Sequence, residues 1–223
     1  AGMGKELYEN EPVFKKAIDE CERGLAQVLK TPLKEILFNA DGDLIQKTVN
    51  TQPCLFAIEY ALAELWKSWG VTPQAVMGHS VGEYVAATVA GAISLEDGLK
   101  LIAHRARLMD GLSGDGQMAA IAASEEKVSA MIKTLPAEKS KQISIAAING
   151  PSSVVISGYG SVVQEVANAF EQQGTKVKLL RGSHGFHSPQ MDAMWNEFEK
   201  IANEIQYKKP SIKVVSNLNG KFV

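Results

Sequence analysis

Residues 75–84 read Ala-Val-Met-Gly-His-Ser-Val-Gly-Glu-Tyr, and a run of helix-forming residues follows them. Three apolar residues before Gly-x-Ser-x-Gly, with a helix after it, are typical of a nucleophile elbow, a sharp strand-to-helix turn that exposes a serine. Gly78 and Gly82 permit a turn that a Cβ atom would obstruct. Ser80 is therefore predicted at the start of a helix, where the N–H of Val81 and the positive helix end stabilise an oxyanion.

The composition excludes several classes of function. The 223 residues, 45% apolar and 22% charged, are enough for one sizeable core or one domain with a small insert. A net charge of −2 disfavours nucleic acid as a partner. Cys21 and Cys54 fall on apolar helix faces outside any metal-ligand spacing, which favours buried thiols in a reducing compartment. The sequence has no signal peptide and no apolar run of about 18 residues, so we expect a cytoplasmic protein without a membrane partner.

Apolar residues at helical spacing lie on both sides of the turn. Thr51-Gln52-Pro53 is predicted to open a long helix, with Thr51 as its N-cap, and Gly70 to end it. The apolar stripe of that helix consists of Leu55, Ile58, Leu62, Leu65, Trp66 and Trp69. Another helix is expected from Ser188-Pro189. Its predicted buried stripe consists of Met191, Met194, Phe198, Ile201 and Ile205.

The middle of the chain has a different order of elements. Strands are predicted over 117–122, 143–148, 154–157 and 177–180, and helices over 124–135 and 161–173, the second capped by Ser161. The order β-α-β-β-α-β is typical of a ferredoxin-like fold. We therefore predict an α/β protein with an α/β hydrolase-like core, residues 1–116 and 183–223, and an inserted ferredoxin-like subdomain, residues 117–182. A strand over 212–216 and a turn at Asn219-Gly220 precede an abrupt end, so we interpret the chain as a piece cut at both ends.

Ser80 needs a general base, and the candidates are histidines. His79 is adjacent in the turn, so its ring should point away from the hydroxyl, and His104 is interpreted as a partly exposed helix residue. His184 and His187 lie in a loop before a helix, where catalytic groups tend to occur, and the residues alone leave both open as the base. The residues alone also leave undecided which group orients the base histidine. That group is either a backbone carbonyl or one of the three acids Asp97, Asp110 and Asp115, each of which resembles a cap or turn residue.

Arg105 is the second informative residue. It shares a helix face with Leu101, Ile102, Leu108 and Met109, whereas Arg107 points to roughly the opposite side. A buried guanidinium without an anion is costly, so Arg105 is expected to have an acidic partner. That partner is either an internal carboxylate or the carboxylate of a substrate, held by two parallel hydrogen bonds.

At these residues the chain resembles the acyltransferase domain of a modular type I polyketide synthase, which is close to the malonyl-CoA:acyl-carrier-protein transacylases. The resemblance covers nearly all 223 residues. It is carried by Gly2-Met3-Gly4, Thr51-Gln52-Pro53, Gly78-His79-Ser80-Val81-Gly82-Glu83-Tyr84, His104-Arg105, Gly116-Gln117-Met118-Ala119-Ala120, Ile148-Asn149-Gly150-Pro151, Val155-Ile156-Ser157-Gly158 and His184-Gly185-Phe186-His187-Ser188-Pro189. The fold that it implies is the one predicted above.

The resemblance also implies roles for individual residues. Ser80 would be the acylated nucleophile, His187 the general base, and Arg105, 25 positions after Ser80, the ligand of the substrate carboxylate. The residues expected to bind substrate in addition are Gln52, Val81, Phe186 and Asn149. The family's Gly-Gln-Gly-x-Gln loop and the carbonyl that orients its base histidine have no counterpart in this sequence, which puts the activity of residues 1–223 alone in doubt.

The same family pattern bears on the acyl group. Members that select malonyl tend to have an aliphatic residue after the nucleophile and a His-Ala-Phe-His loop. This chain has Val81 and His184-Gly185-Phe186-His187, so only Gly185 departs. Phe186 is expected to fill the space of an α-methyl branch. A pocket penalises one methyl by about 1–3 kcal/mol, so the selection should be real but incomplete.

The leading hypothesis is a transferase that moves malonyl from coenzyme A to an acyl carrier protein through a Ser80 ester. Its expected partners are malonyl-CoA, the carrier protein and neighbouring synthase domains such as a ketosynthase, with no metal and no permanently bound cofactor. The alternatives are a thioester hydrolase, a free-standing fatty-acid-type malonyl transacylase, and a domain kept only as a scaffold.

Overall fold

The computed structural model describes residues 1–39, 42–112, 114–180 and 184–223, and the chain folds into two compact units. The first unit comprises Ala1–Asp110 and Glu197–Val223, and the second comprises Gly111–Asn196. Both contain helices and strands, which confirms the mixed α/β class. The predicted boundary at residues 182 and 183 lies outside the described residues, and the predicted domain limits stay a prediction.

The helices and strands have the following bounds. The helices are α1 Lys5–Asn10, α2 Pro12–Leu25, α3 Gly42–Gln46, α4 Thr48–Ser68, α5 Val81–Val89, α6 Leu95–Asp110, α7 Glu125–Thr134, α8 Ala137–Ser140, α9 Gly160–Gln172 and α10 Asp192–Asn203, with a π-helical turn at Glu35–Asn39 and a 3₁₀ turn at Pro189–Met191. The strands are β1 Ala75–Val76, β2 Gly116–Ile121, β3 Ile143–Gly150, β4 Ser153–Tyr159, β5 Val177–Leu179 and β6 Lys213–Val214.

Helix packing forms the main core of the first unit. Phe14 of α2, Phe56 of α4 and Ile102 of α6 are fully buried in one cluster. Gly98 of α6 permits this packing, because a Cβ there would lie 2.9 Å from the Phe56 ring. The core therefore fixes α4 and α6, and with them every side chain that these helices carry, relative to each other.

Helix α4 ends as predicted, since Ser68 is its last residue and Gly70, with φ of 82°, follows the C-cap Trp69, but its start differs from the prediction. It begins at Thr48, and Thr51 is not the N-cap, because its hydroxyl donates to the carbonyls of Lys47 and Ile45. A hydroxyl that donates to the carbonyl four residues earlier is typical of a threonine inside a helix rather than at its N-cap. The predicted stripe is only partly buried: Trp66 is 53% and Trp69 55% exposed.

The elbow lies at the end of a two-stranded parallel sheet. β1 pairs with β6 in the register Ala75↔Lys213 and Val76↔Val214, so the predicted strand over 212–216 is present but shorter. Gly220, with φ of 68°, turns the chain so that Phe222 pairs with Val215. Of the stripe predicted after Ser188, Met191 and Ile205 are buried, and the other three residues are half-buried.

The second unit has one four-stranded antiparallel sheet in the order β3-β4-β2-β5. Its elements follow in the predicted order β-α-β-β-α-β, with the short α8 added before β3. Helices α7 and α9 cover the sheet through Val128, Val163 and Phe170. Ser161 does not cap α9, because the helix already begins at Gly160 with Tyr159 at the N-cap position.

Both cysteines are free and buried, as predicted. Burial raises the pKa of each thiol to about 12, so neither is a ready nucleophile at neutral pH. Across the described ranges, no helix combines the length and the apolar character that crossing a bilayer requires.

Candidate active site

The turn that carries Ser80 is strained in the manner of a nucleophile elbow. Ser80 has φ of 53° and ψ of −106°, and α5 begins at the next residue. Gly78 makes the turn possible, because a Cβ there would lie 1.8 Å from the carbonyl oxygen of Gly82. Non-glycine residues rarely adopt a positive φ, and such strain is concentrated at functional sites. The turn predicted from the sequence is therefore present, with the serine at its apex.

Helix α5 begins directly after Ser80, and two N–H groups of its first turn are used within that turn. The N–H of Gly82 donates to the carbonyl of His79 at 3.0 Å, and that of Glu83 to the carbonyl of Ser80 at 3.1 Å. Val81 is the first residue of the helix, where an N–H has no partner within the helix. This is the position at which helix ends bind anions. The neighbouring His79 is exposed.

Arg105 reaches Ser80 from α6. Its side chain is buried, with 8% exposure, and its Nη2 donates to Ser80 Oγ at 3.0 Å. Its Nη1 donates to Oε1 of the buried Gln52. The Gln52 Nε2 in turn donates to the Met109 sulfur at 3.2 Å, which fixes the amide orientation because a thioether only accepts. The structure thus brings together three predicted site residues, Ser80, Arg105 and Gln52.

The guanidinium of Arg105 has no anionic partner among the described residues, where the ion pairs do not include it. Burial lowers the pKa of Arg105, because desolvation disfavours the charged form. Arg107 is exposed and lies 3.4 Å from Glu197, as expected for the opposite helix face. Of the two partners left open above, the internal carboxylate is thus not found in the described part of the chain.

Arg105 has one aromatic contact that was not predicted from the sequence. The Tyr84 ring lies 5.7 Å from Cζ of Arg105, within cation–π range. Tyr84 also forms a T-shaped pair with Phe198 of α10, with centroids 6.4 Å apart. The spacing could have predicted that Tyr84 lies near the nucleophile, because Tyr84 follows Ser80 by four residues and therefore lies on the same helix face.

An apolar groove of about 880 Å³ runs beside the elbow within the first unit. Its walls come from α4, β1 and the first turns of α5, and both Ser80 and Trp66 line it. The groove leaves Trp66 exposed, although the residue is part of the apolar stripe of α4.

The second unit carries the histidine loop. The rings of His184 and Phe186 stack, with centroids 5.7 Å apart. His187 is exposed and has φ of 58°, and its carbonyl accepts a hydrogen bond from Ser144 Oγ at 2.7 Å. Ser80 and His187 are thus the non-glycine residues with positive φ in the described part of the chain.

A dense polar network holds this loop. Gln190 is buried; its Oε1 accepts from the N–H of Gly185 at 3.1 Å, and its Nε2 donates to Asp115 Oδ1 at 2.8 Å. A Cβ at Gly185 would lie 2.3 Å from Gln190 Oε1 and 2.9 Å from the Gly158 carbonyl oxygen. The departure from the family's His-Ala-Phe-His pattern therefore has a steric reason here.

The other candidates occupy ordinary positions. Asn149 is exposed near the end of β3. His104 is half-buried, and its pKa is lowered, first by burial and then by nearby Arg107. At the start of α6 the N–H of Asp97 donates to Ser94 Oγ at 3.0 Å, and Ser94 Oγ donates to the Asp97 carboxylate at 2.9 Å, so Asp97 belongs to a capping box. In the described ranges no group of His, Cys, Asp and Glu could hold a metal ion, and the expectation of no metal and no permanent cofactor stays a prediction.

The chain is similar to known proteins over nearly its whole length. The family model for the acyl transferase domain matches residues 1–221. The chain is 45% identical to spectinabilin polyketide synthase system protein NorB of Streptomyces orinoci over 99% of its length, and 44% identical to mycoketide-CoA synthase of Mycobacterium tuberculosis over 99%.

Solved structures give the same result. The acyltransferase domain from the second module of the salinomycin polyketide synthase superposes with a TM-score of 0.92 at 45% identity, over 100% of this chain and 51% of that one. FabD from Acinetobacter baumannii gives 0.89 at 30% identity, over 100% and 70%. The chain spans only 10% and 5% of the two synthases, so it corresponds to a small part of those proteins.

Proposed function

The chain belongs to the acyl transferase domain family, and from this we propose that it moves a malonyl group from coenzyme A to an acyl carrier protein through an ester on Ser80. One observation carries the proposal: the buried, positively charged Arg105 donates to Ser80 Oγ and has no carboxylate partner among the described residues. A carboxylate on the acyl group would supply the missing anion beside the nucleophile.

In the first half-reaction, His187 takes the Ser80 proton while Oγ bonds to the thioester carbon. The carbonyl oxygen becomes an oxyanion, which the Val81 N–H and the positive end of α5 stabilise. The carbon–sulfur bond then breaks, and His187 returns the proton to the coenzyme A sulfur. Malonyl remains on Ser80 as an ester, with its free carboxylate on Arg105.

The second half-reaction reverses these steps with a different thiol. The carrier protein's thiol gives its proton to His187, and its sulfur bonds to the ester carbon. The bond from that carbon to Ser80 Oγ breaks, and the serine regains its proton. Because Gln52 and Ser80 already hold two sides of the guanidinium, the arginine is oriented before any substrate binds.

The remaining site residues select the acyl group in this proposal. Gln52 borders the acyl pocket and holds the guanidinium, and Asn149 contacts the substrate. Phe186, fixed by its stacking on His184, occupies the space of an α-methyl branch. The preference for malonyl over methylmalonyl is then on the scale of one misfitting methyl, about 1–3 kcal/mol.

The finer architecture is an α/β hydrolase-like core with an inserted ferredoxin-like subdomain. The parallel β1–β6 pair that leads into the elbow supports the core, and the antiparallel order β3-β4-β2-β5 with α7 and α9 supports the subdomain. The carrier protein and neighbouring synthase domains such as a ketosynthase are the proposed partners, and the cytoplasm is the proposed location.

The test measures acylation and its fate on the chain extended to the full length of an acyltransferase domain. Intact-mass spectrometry after incubation with malonyl-CoA should find one malonyl group on the wild type and none on Ser80→Ala. Ser68→Ala is the matched control, because among the described residues the Ser68 hydroxyl bonds only to the Leu65 carbonyl at the end of α4. A label that persists on Ser80→Ala contradicts the assignment of the nucleophile.

Adding a carrier protein then separates the alternatives. Transfer of the malonyl group to the carrier thiol supports the transferase. Release of free malonate at the same rate with and without carrier indicates a thioester hydrolase, and the absence of any acyl-enzyme indicates a scaffold domain.

A further inference from the structure

The guanidinium of Arg105 meets three different kinds of neighbour. Nη1 donates to Gln52 and Nη2 to Ser80, so two hydrogen bonds fix its edge. The Tyr84 ring, 5.7 Å from Cζ, lies within cation–π range of the charge. The hydrogen bonds to Gln52 and Ser80 fix the direction in which the two Nη atoms point. They do not prevent the plane of the guanidinium from tilting.

Tyr84 is itself held in a fixed relation to the nucleophile. It lies in the first turn of α5, four residues after Ser80, so ring and hydroxyl share one rigid helical turn. The rings of Tyr84 and Phe198 form a T-shaped pair, at an interplanar angle of 79°. The helical backbone of α5 and the Phe198 ring therefore both restrain the position of the Tyr84 ring.

The contact is electrostatic as well as steric. The face of an aromatic ring is negative, and its attraction for a cation increases when water is excluded. Arg105 is buried and forms no ion pair within the described residues, so the ring faces a charge that is only weakly compensated. A ring here both steadies the guanidinium and leaves its N–H donors available for an anion, which a carboxylate side chain would not do.

We propose, on the assumption that Arg105 binds the substrate carboxylate, that Tyr84 is a positioning residue that holds the guanidinium at the tilt required for two parallel hydrogen bonds to that carboxylate. Tyr84 touches neither the reacting atoms nor the thioester. Its loss should therefore weaken the use of acyl groups that carry a carboxylate and spare those that do not.

The experiment compares kcat/KM for malonyl-CoA and acetyl-CoA in the wild type, Tyr84→Phe and Tyr84→Leu, on the full-length domain. Tyr84→Leu should lower the malonyl value by about 5- to 30-fold, chiefly through KM, and change the acetyl value by less than about 2-fold. Tyr84→Phe keeps the ring and should restore the malonyl value to within about 2-fold of the wild type.

Two controls separate positioning from packing. Tyr60→Leu removes another half-buried tyrosine of the first unit, one that stacks on Phe56 and has no cation over its ring in the described structure, and it should leave the malonyl-to-acetyl ratio unchanged. In an Arg105→Met background, Tyr84→Leu should not change that ratio further, because contacting residues are not additive. If Tyr84→Leu does not fold, Tyr84→Met carries the same test.

Each outcome decides one of the two proposals. Equal losses for both substrates in a folded Tyr84→Leu, or a loss in Tyr84→Phe as large as in Tyr84→Leu, overturn the positioning role. If Arg105→Met changes the ratio but Tyr84→Leu does not, only the positioning role fails. If Arg105→Met itself leaves the ratio unchanged, the proposed recognition of the carboxylate fails.

Discussion

Replacing Arg105 with methionine tests the proposed carboxylate recognition most directly. Methionine keeps much of the side-chain volume and removes the charge, together with the bonds to Ser80 and Gln52. Charge-assisted hydrogen bonds contribute about 1.5–3 kcal/mol each. We expect a loss of about 2–3 kcal/mol in kcat/KM for malonyl-CoA, which is roughly 30- to 150-fold. Acetyl-CoA has no charge to pair, so its kcat/KM should be retained or raised.

The stability of this variant should change little. Removing a buried charge relieves its desolvation, whereas Gln52 Oε1 loses its donor, at a cost of about 1–3 kcal/mol. Because these effects oppose each other, the melting temperature of Arg105→Met should differ from that of the wild type by only a few degrees. The variant is then folded under the conditions of the kinetic measurements.

The matched control is Arg107→Met, two residues away on the exposed face of the same helix. Steady-state kinetics with both substrates should show a changed malonyl-to-acetyl ratio for Arg105→Met only. An equal loss for both substrates in a folded Arg105→Met would mean that Arg105 is structural. An equal change of ratio in Arg107→Met would mean that the surface charge of α6, rather than a bound carboxylate, sets the preference.

Three further results are expected. His187→Gln should slow acylation and transfer by about 10²–10⁴-fold, and His184→Gln by less, in stopped-flow kinetics; the reverse order would assign the base to His184. Gly78→Ala should lower the free energy of unfolding in urea by about 1–3 kcal/mol or more, because its Cβ would meet the carbonyl oxygen of Gly82, whereas Gly42→Ala, in open space, should not. Burial opposes the ionisation of Asp19, but hydrogen bonds from two lysines and a tyrosine outweigh it and lower its pKa from 3.8 to about 2. The free energy that the ionised Asp19 adds to folding should thus be fully present above pH 4 and be lost as the pH falls toward 2. In Asp19→Asn, the urea midpoint should fall less over that pH range than in the wild type.

Local patterns in the sequence predicted much of the site. The spacing of Gly78, Ser80 and Gly82 predicted the strained turn, and helical periodicity predicted the burial of Arg105, because both depend on residues within one or two turns. The N-cap at Thr51 was wrong for a related reason: its hydroxyl bonds to Ile45 and Lys47, and propensity does not reveal which carbonyls lie within reach.

The exposure of Trp66 and the glycine at position 185 were decided by packing. Periodicity places Trp66 on an apolar face but does not say what covers that face, and in this structure it borders the groove beside the elbow. Gly185 is explained only by the positions of Gln190 and the Gly158 carbonyl, which come from a turn and a strand far apart in sequence.

The sequence by itself thus determined the elbow, the class of fold and the residue types of the site, because a turn, a helix face and the order of elements are local properties of the chain. Only the tertiary structure decided that Ser80, Gln52 and Tyr84 meet around the guanidinium of Arg105. These four residues come from α4, α5 and α6 and the turn before α5, and the packing of those helices around Phe56 and Ile102 fixes the distances between them. No spacing in the chain encodes those distances, because they depend on how buried side chains from separate helices fill a common volume.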